Sequence, residues 1–154
     1  MLNIKDEDQA RKAYTSIIQN VRKHKPDANI LGVIVEEMVP PSTEVVVGLA
    51  KDPQFGSTIM FGLGGVFVEV LKDVTFRICP INEIDAEEMI TEIKGYQILK
   101  GYRNIPPADI ETIKKILLRV SDMAEKYPEI NEMDLNPIIV NDKEAKVVDA
   151  RIIF

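Results

Sequence analysis

Polar and apolar positions alternate first at helical and then at strand spacing along this chain. In "DEDQARKAYTSIIQNVRKHK", Ala10, Ala13, Ile17, Ile18 and Val21 make one apolar stripe, which predicts a helix. Acidic residues open this segment and basic ones close it, as the helix dipole favours. After "KPDAN", the run "ILGVIV" reads as a strand that stops at Glu36-Glu37. "PPST" breaks the chain, and "EVVVGLA" reads as the second strand of a hairpin with it. "DPQFG" is a turn and "STIMF" a strand. Beyond "GLGG", "VFVEVLKDVTFRICPI" alternates like one or two more strands. "DAEEMITEI" predicts a helix opening on an Asp cap, and "KGYQILKGYRNIPP" a loop-rich stretch. "ADIETIKKILLRVSDMAEKY" has the clearest helical period, with Ile110, Ile113, Leu117, Val120 and Ala124 on one face. "EMDLNPIIVNDKEAKVVDARI" closes the chain as a hairpin. This order predicts an α+β layered domain, a mainly antiparallel sheet packed with helices.

The 154 residues amount to one domain, long enough to bury a core. A net charge of −6 argues against nucleic acid or an anionic membrane as partner, and the basic run "RKHK" is too short to change that. The single cysteine, Cys79, excludes an internal disulfide and a thiol metal clip, which suits a reducing cytoplasm. Neither a membrane-spanning apolar run nor a signal peptide is legible, so no membrane partner is expected.

The closing hairpin carries the first candidate chemistry. Residues two apart share a strand face, so Asp134 and Asn136 point one way, with Met133, Leu135, Pro137 and Ile139 the other. With residues 141–144 as the loop, Val140 lies opposite Ala145 and Asn136 opposite Asp149. Oxygen-bearing side chains then converge on one spot, the donor chemistry that Mg²⁺ takes in phosphate-handling sites. A solvent-exposed polar face on an edge hairpin is the competing reading. The second candidate is "GVIVEEMVPPSTEVVVGLA". A strand leaving its sheet can offer backbone groups and an apolar slot to a base, and a carboxylate such as Glu44 can accept hydrogen bonds from ribose hydroxyls. Solvated carboxylates beside a turn would look the same.

Taken together, these stretches resemble the ATP-grasp enzymes. The "VEEMV" hinge, a Glu at position 44 and the "DLNP" strand match that family's C-terminal subdomain. "FGLGGVFVEVLKD" with "EMDLNPIIV…VVDARI" is similar, more narrowly, to the β subunit or β-like domain of ADP-forming acyl-CoA synthetases (acetate–CoA ligases). The hinge alone points only to ATP-grasp proteins in general. The resemblance runs from about residue 5 to the end.

It implies that Glu36, Glu37, Met38 and Val39 line an adenine pocket and that Glu44 holds the ribose. Asn136 and Asp149 would bind Mg²⁺, with Asp134 as a third ligand or a support, and ATP or ADP would be the nucleotide. Gly64 and Gly65 would let the backbone approach phosphate closely, or serve a plain turn. Arg77 would clamp phosphate or lie at the surface, and Arg151 has the same two readings. Residues 1–154 form a single ATP-grasp-like domain in this reading. Residues 1–29 are a connecting helix and turn, and 30–154 the nucleotide- and metal-binding subdomain. The family's N-terminal elements (a strand lysine, a glycine-rich loop and a relay histidine) have no counterpart here. His24, at a helix end, reads as structural or solvated. The chain is therefore expected to be the C-terminal two-thirds of a β subunit, inactive alone. Its partners would be an adenine nucleotide, a missing N-terminal ATP-grasp subdomain and an α-type CoA-binding subunit. The implied reaction is acyl-CoA + ADP + phosphate ⇌ carboxylic acid + CoA + ATP, through a phosphohistidine located elsewhere. Another ATP-grasp ligase, such as a succinate–CoA ligase-like β chain or an acetyltransferase-fused synthetase domain, is one alternative. A non-catalytic interaction domain of the same fold is the other.

Overall fold

The computed structural model describes residues 1–65, 70–103 and 105–154. The chain divides into two compact units, Met1–Pro40 and Pro41–Phe154. The division falls after Pro40.

In the first unit, helix α1 spans Glu7–His24. The Asp6 carboxylate caps it by accepting the N–H of Gln9 at 2.8 Å. Glu7 and Asp8 in the first turn, and Arg22, Lys23 and His24 in the last, complement its dipole. Residues 28–34 return along the apolar stripe, where they share a cleft with Ile17, Ile18 and Val21. The strand expected over "ILGVIV" is not formed. Residues 30–35 have no ladder partner among the described residues, and Leu31, Ile34 and Val35 are 93%, 83% and 90% exposed.

The reason lies in the second unit. Its strands are β1 (Thr43–Asp52), β2 (Gly56–Leu63), β3 (Val74–Ile78), β4 (Glu132–Val140), β5 (Ala145–Val147) and β6 (Ala150–Ile153). They form an antiparallel sheet in the order β3-β2-β1-β4-β5, with β6 continuing the lane of β5 against β4. Strand β1 is central, with β2 on one edge and β4 on the other. A strand has only two edges, so the expected hairpin with residues 30–35 has nowhere to pair.

Three helices follow β3: α2 (Glu83–Glu92), the short α3 (Tyr96–Leu99) and α4 (Ile110–Lys126). Helix α2 is capped by Asn82, with Asp85 completing a reciprocal capping box, so the cap lies three residues before the Asp expected from sequence. Ile113, Leu117, Val120 and Ala124 of α4 are buried as the period predicts, while Ile110 is half-buried. They meet Val45, Val47 and Leu49 of β1 and Ile59, Phe61 and Leu63 of β2. Burying each large side chain of this kind stabilises the fold by about 1.5–3 kcal/mol. The helices cover one face of the sheet.

Val70 and Leu71 sit in a helical turn before β3, not in a strand, and residues 66–69 of the "VFVEVLKD" stretch lie outside the described residues. In β3 the alternation runs against hydrophobicity. Thr75 is buried beneath α2, where its hydroxyl donates to the Met89 carbonyl at 2.9 Å, while Phe76 and Ile78 are exposed.

Candidate functional site

The uncovered face of the sheet is organised by register. Three rows run across the strands. One is Phe76, Met60, Gly48, Asp134 and Arg151; the next is Ile78, Thr58, Ala50, Glu132 and Ile153. The third is Val74, Gly62 and Val46, and it ends at the irregularity of β4 that holds Asn136. Small residues in the middle lanes leave a trough of about 380 Å³ between a polar flank on β4 and β6 and an apolar flank on β2 and β3.

The polar flank rests on a β-bulge. Between Val45 and Val47, β1 has one residue, whereas β4 has two, Asn136 and Pro137, between Leu135 and Ile138. Proline lacks the N–H that a regular ladder would need, which suits it to a bulge. The extra residue flips the alternation. Asp134 and Asn136 face the trough, while Ile138 and Val140 turn into the core and are fully buried. This corrects the sequence expectation that Ile139 continues the face of Leu135. On its other edge, β4 keeps the predicted register: Val140 pairs with Ala145 and Asp134 with Arg151. The Asn136 N–H donates to the Asp149 carbonyl at 3.1 Å, so these two residues are neighbours across the strands as predicted. Asn141 organises the 141–144 loop by accepting the N–H groups of Lys143 and Glu144.

Glu44 is on the same face as Val46 and Gly48, because β1 alternates without interruption. It stands one row beyond Val46, about 7 Å along the strand. There it borders a second concavity lined by Ser42, Thr43, Gly64, Gly65, Ile98, Ile105 and Pro106. Next to it, the Thr43 hydroxyl is buried without a hydrogen-bond partner among the described residues.

The side chains of Glu44, Asp134, Asn136, Asp149 and Arg151 have no hydrogen bond or ion pair among the described residues. Asp134 and Arg151 stand directly opposite each other on neighbouring strands, a placement that puts their Cβ atoms about 5 Å apart. The described residues contain no group of three His, Cys, Asp or Glu side chains placed to hold a metal. A cation here would need the Asn136 amide oxygen beside the carboxylates.

Arg77 is not on this face. It lies beneath α2, where its guanidinium pairs with Glu92 at 2.6 Å and Glu88 at 3.3 Å. The Glu92 hydrogen bond raises the Arg77 pKa and lowers that of Glu92. Arg77, read from sequence as a phosphate clamp or a surface arginine, lies in a strand–helix ion pair, and Arg151 lines the trough. Gly64 and Gly65 lie against Glu44, away from the Asp134–Arg151 row. Glu36, Glu37, Met38 and Val39 belong to the first unit, where they form no regular strand. Met60, Phe76 and Gly48 were not singled out from the sequence. Only strand register, which spans distant segments, brings them beside Asp134.

An ATP-grasp domain family matches residues 1–154. The chain belongs to the ATP-grasp family. This ATP-grasp chain is 51% identical over 153 residues to the β subunit of acetate–CoA ligase (ADP-forming) I of Pyrococcus furiosus, and 56% identical over 157 residues to that of ligase II. The alignments cover 99% and 100% of this chain. The chain spans 66% of the length of these relatives. Among solved structures, it superposes with a TM-score of 0.88 and 49% identity on the dinucleotide-forming acetyl-coenzyme A synthetase 1 of Ca. Korarchaeum cryptofilum. That match covers 100% of this chain and 67% of the other. That protein was solved with coenzyme A and Mg-AMPPCP, its phosphohistidine segment pointing towards the nucleotide binding site.

Proposed function

We propose that this chain is the nucleotide- and Mg²⁺-binding part of an ADP-forming acyl-CoA synthetase. The reaction is acyl-CoA + ADP + phosphate ⇌ carboxylic acid + CoA + ATP. The observation that carries this reading is the shared face of Glu44, Asn136, Asp134 and Arg151, whose side chains are engaged by no described residue. The family relationship and the Mg-AMPPCP in the archaeal relative support it.

The donor set fits a hard cation: carboxylate and amide oxygens from Asp134, Asn136 and Asp149, with room for water and phosphate. Mg²⁺, when bound, would supply charge neutralisation at the phosphates. The chain's own residues position. Glu44 accepts hydrogen bonds from the ribose hydroxyls, one row from Asn136. Arg151 offers a planar pair of N–H donors to phosphate oxygens. Glu36, Glu37, Met38 and Val39 present backbone groups to the base. Phosphoryl transfer depends mostly on such placement, so the nucleophilic histidine can belong to another unit. His24, in the last turn of α1, is not assigned that role.

Two partners complete the reading. An α-type unit brings CoA, the acyl site and the relay histidine. An N-terminal ATP-grasp subdomain closes over the nucleotide. Residues 30–35, apolar on both faces and lacking ladder partners among the described residues, suit addition to a sheet in that subdomain.

The test is calorimetric titration of ADP with Mg²⁺ and then with EDTA. It is run on this chain alone and with the N-terminal third of the Pyrococcus furiosus β subunit added. Mg²⁺-dependent binding that Asn136→Ala or Asp149→Ala weakens at least several-fold is expected. Undiminished Mg²⁺ dependence in both variants would sink the metal assignment. Absence of binding in both preparations would overturn the nucleotide reading.

A further inference from the structure

We propose that Gly64 and Gly65 are positioning residues that set the Glu44 carboxylate, an inference that rests on Glu44 as the ribose acceptor. From sequence, the glycines of "GLGG" read as a place where backbone meets phosphate. The structure gives them a different neighbour.

The Gly64 N–H donates to the Glu44 carbonyl at 2.7 Å. A Cβ at position 64 would fall 2.9 Å from the Glu44 Cβ, and 3.2 and 3.3 Å from its carbonyl carbon and oxygen. These are main-chain and root atoms, which cannot swing aside as a side-chain tip does. Gly65 has φ +60°, the left-handed region that glycine adopts without steric penalty. A Cβ there would stand 3.3 Å from Glu44 Oε2, the carboxylate itself. The two glycines therefore flank Glu44 from its root to its charged tip. On its other edge, Glu44 pairs with Ile139 of β4, so β1 cannot retreat without disturbing the bulge that presents Asn136. A methyl group at 64 or 65 is accommodated only by moving the Glu44 side chain or the turn that holds it.

The test compares ADP with 2′-deoxy-ADP, both with Mg²⁺, by calorimetry in the preparation in which the wild-type chain binds. Variants are Gly64→Ala, Gly65→Ala, Glu44→Gln and the Gly65→Ala/Glu44→Gln double variant, each checked by thermal melting to be folded. A hydroxyl-to-carboxylate hydrogen bond corresponds to about a tenfold preference for ADP in the wild-type chain. Glu44→Gln is expected to cut that preference several-fold. Each glycine variant should do the same, and the double variant should lose no more than Glu44→Gln, since both act through one carboxylate. A merely structural role for the glycines would weaken both nucleotides equally and keep the ratio. If both glycine variants keep the wild-type ratio while Glu44→Gln loses it, the positioning role is overturned and the ribose role stands. If wild type shows no preference, or Glu44→Gln retains it, the ribose role fails and this inference falls with it.

Discussion

Asp73 and Asp52 each accept two main-chain N–H groups, yet their removal should have very different consequences. Asp73 is 7% exposed, and its carboxylate takes the N–H of Lys94 at 2.8 Å and of Gly95 at 2.7 Å. It thereby ties the chain after α2 to the start of β3. Gly95 itself fits because a Cβ would lie 2.2 Å from Leu63 Cδ1 in the core. Asp52 takes the N–H of Gln54 at 2.7 Å and of Phe55 at 2.9 Å, in the exposed turn between β1 and β2. The bond count is the same, and burial decides. Removing the Asp73 carboxylate leaves two donors in a half-buried setting, at about 1–3 kcal/mol for each unsatisfied group. Because water reaches part of this site, Asp73→Ala should cost about 3 kcal/mol. For a chain of this size that lowers Tm by roughly 6–12 °C. At Asp52 water replaces the carboxylate, and Asp52→Ala should cost less than about 1 kcal/mol. Urea unfolding followed by far-ultraviolet circular dichroism measures both. Equal losses, or less than about 1 kcal/mol at Asp73, would refute burial as the deciding factor.

Two further outcomes follow from the helix ends and the sheet faces. Asp109 caps α4, accepting the Thr112 hydroxyl at 2.6 Å and its N–H at 3.0 Å, and these bonds hold its carboxyl below the ordinary value of 3.8. Asp109→Ala should cost about 1 kcal/mol at neutral pH. Because the folded pKa is depressed, that contribution is complete above the unfolded value and is lost as pH falls through the folded one. The gap between wild type and variant in urea melts should therefore close only in acid. At the sheet, Arg151→Gln should weaken Mg-ADP binding several-fold, whereas Arg77→Gln should leave it unchanged within error. Calorimetry on both variants checks the face assignment, and a large effect at Arg77 alone would reverse it.

Much of the architecture was legible where the pattern is local. Helix α4 shows why: Ile113, Leu117, Val120 and Ala124 repeat at helical spacing, and one face of one segment settles their burial. The Asn136–Asp149 pairing was legible too, because a short loop fixes the register of a hairpin. What failed depended on distant segments. "ILGVIV" has every local property of a strand, but β2 and β4 already occupy both edges of β1. Arg77 was read as a phosphate clamp or a surface arginine, and the sequence did not show its partners, because Val74, Phe76 and Ile78 look like the core side of β3. The structure instead puts Thr75 and Arg77 beneath α2, each with an acceptor waiting: the Met89 carbonyl for one, the Glu88 and Glu92 carboxylates for the other. Satisfied polar groups can occupy the covered face at little cost, so hydrophobic alternation alone does not fix the parity of an edge strand.

That inversion and the β4 bulge have the same consequence for the site. A regular β4 pairing with β1 could not keep Asp134 and Asn136 in the trough and also seat Ile138 and Val140 in the core, since residues an even number apart share a face. One extra residue at Asn136–Pro137 lets a single strand do both. The cost is a locally broken ladder, in which the Val148 N–H reaches the Pro137 carbonyl at 3.0 Å and regular pairing resumes only at Ala150. Across the trough, the reversed parity of β3 turns Phe76 outward in the row of Asp134 and Arg151. The uncovered face thus receives charged and oxygen-bearing side chains along one side and an apolar flank along the other. Both features shape the face that the helices leave open, and the bulge does so while keeping Ile138 and Val140 in the core.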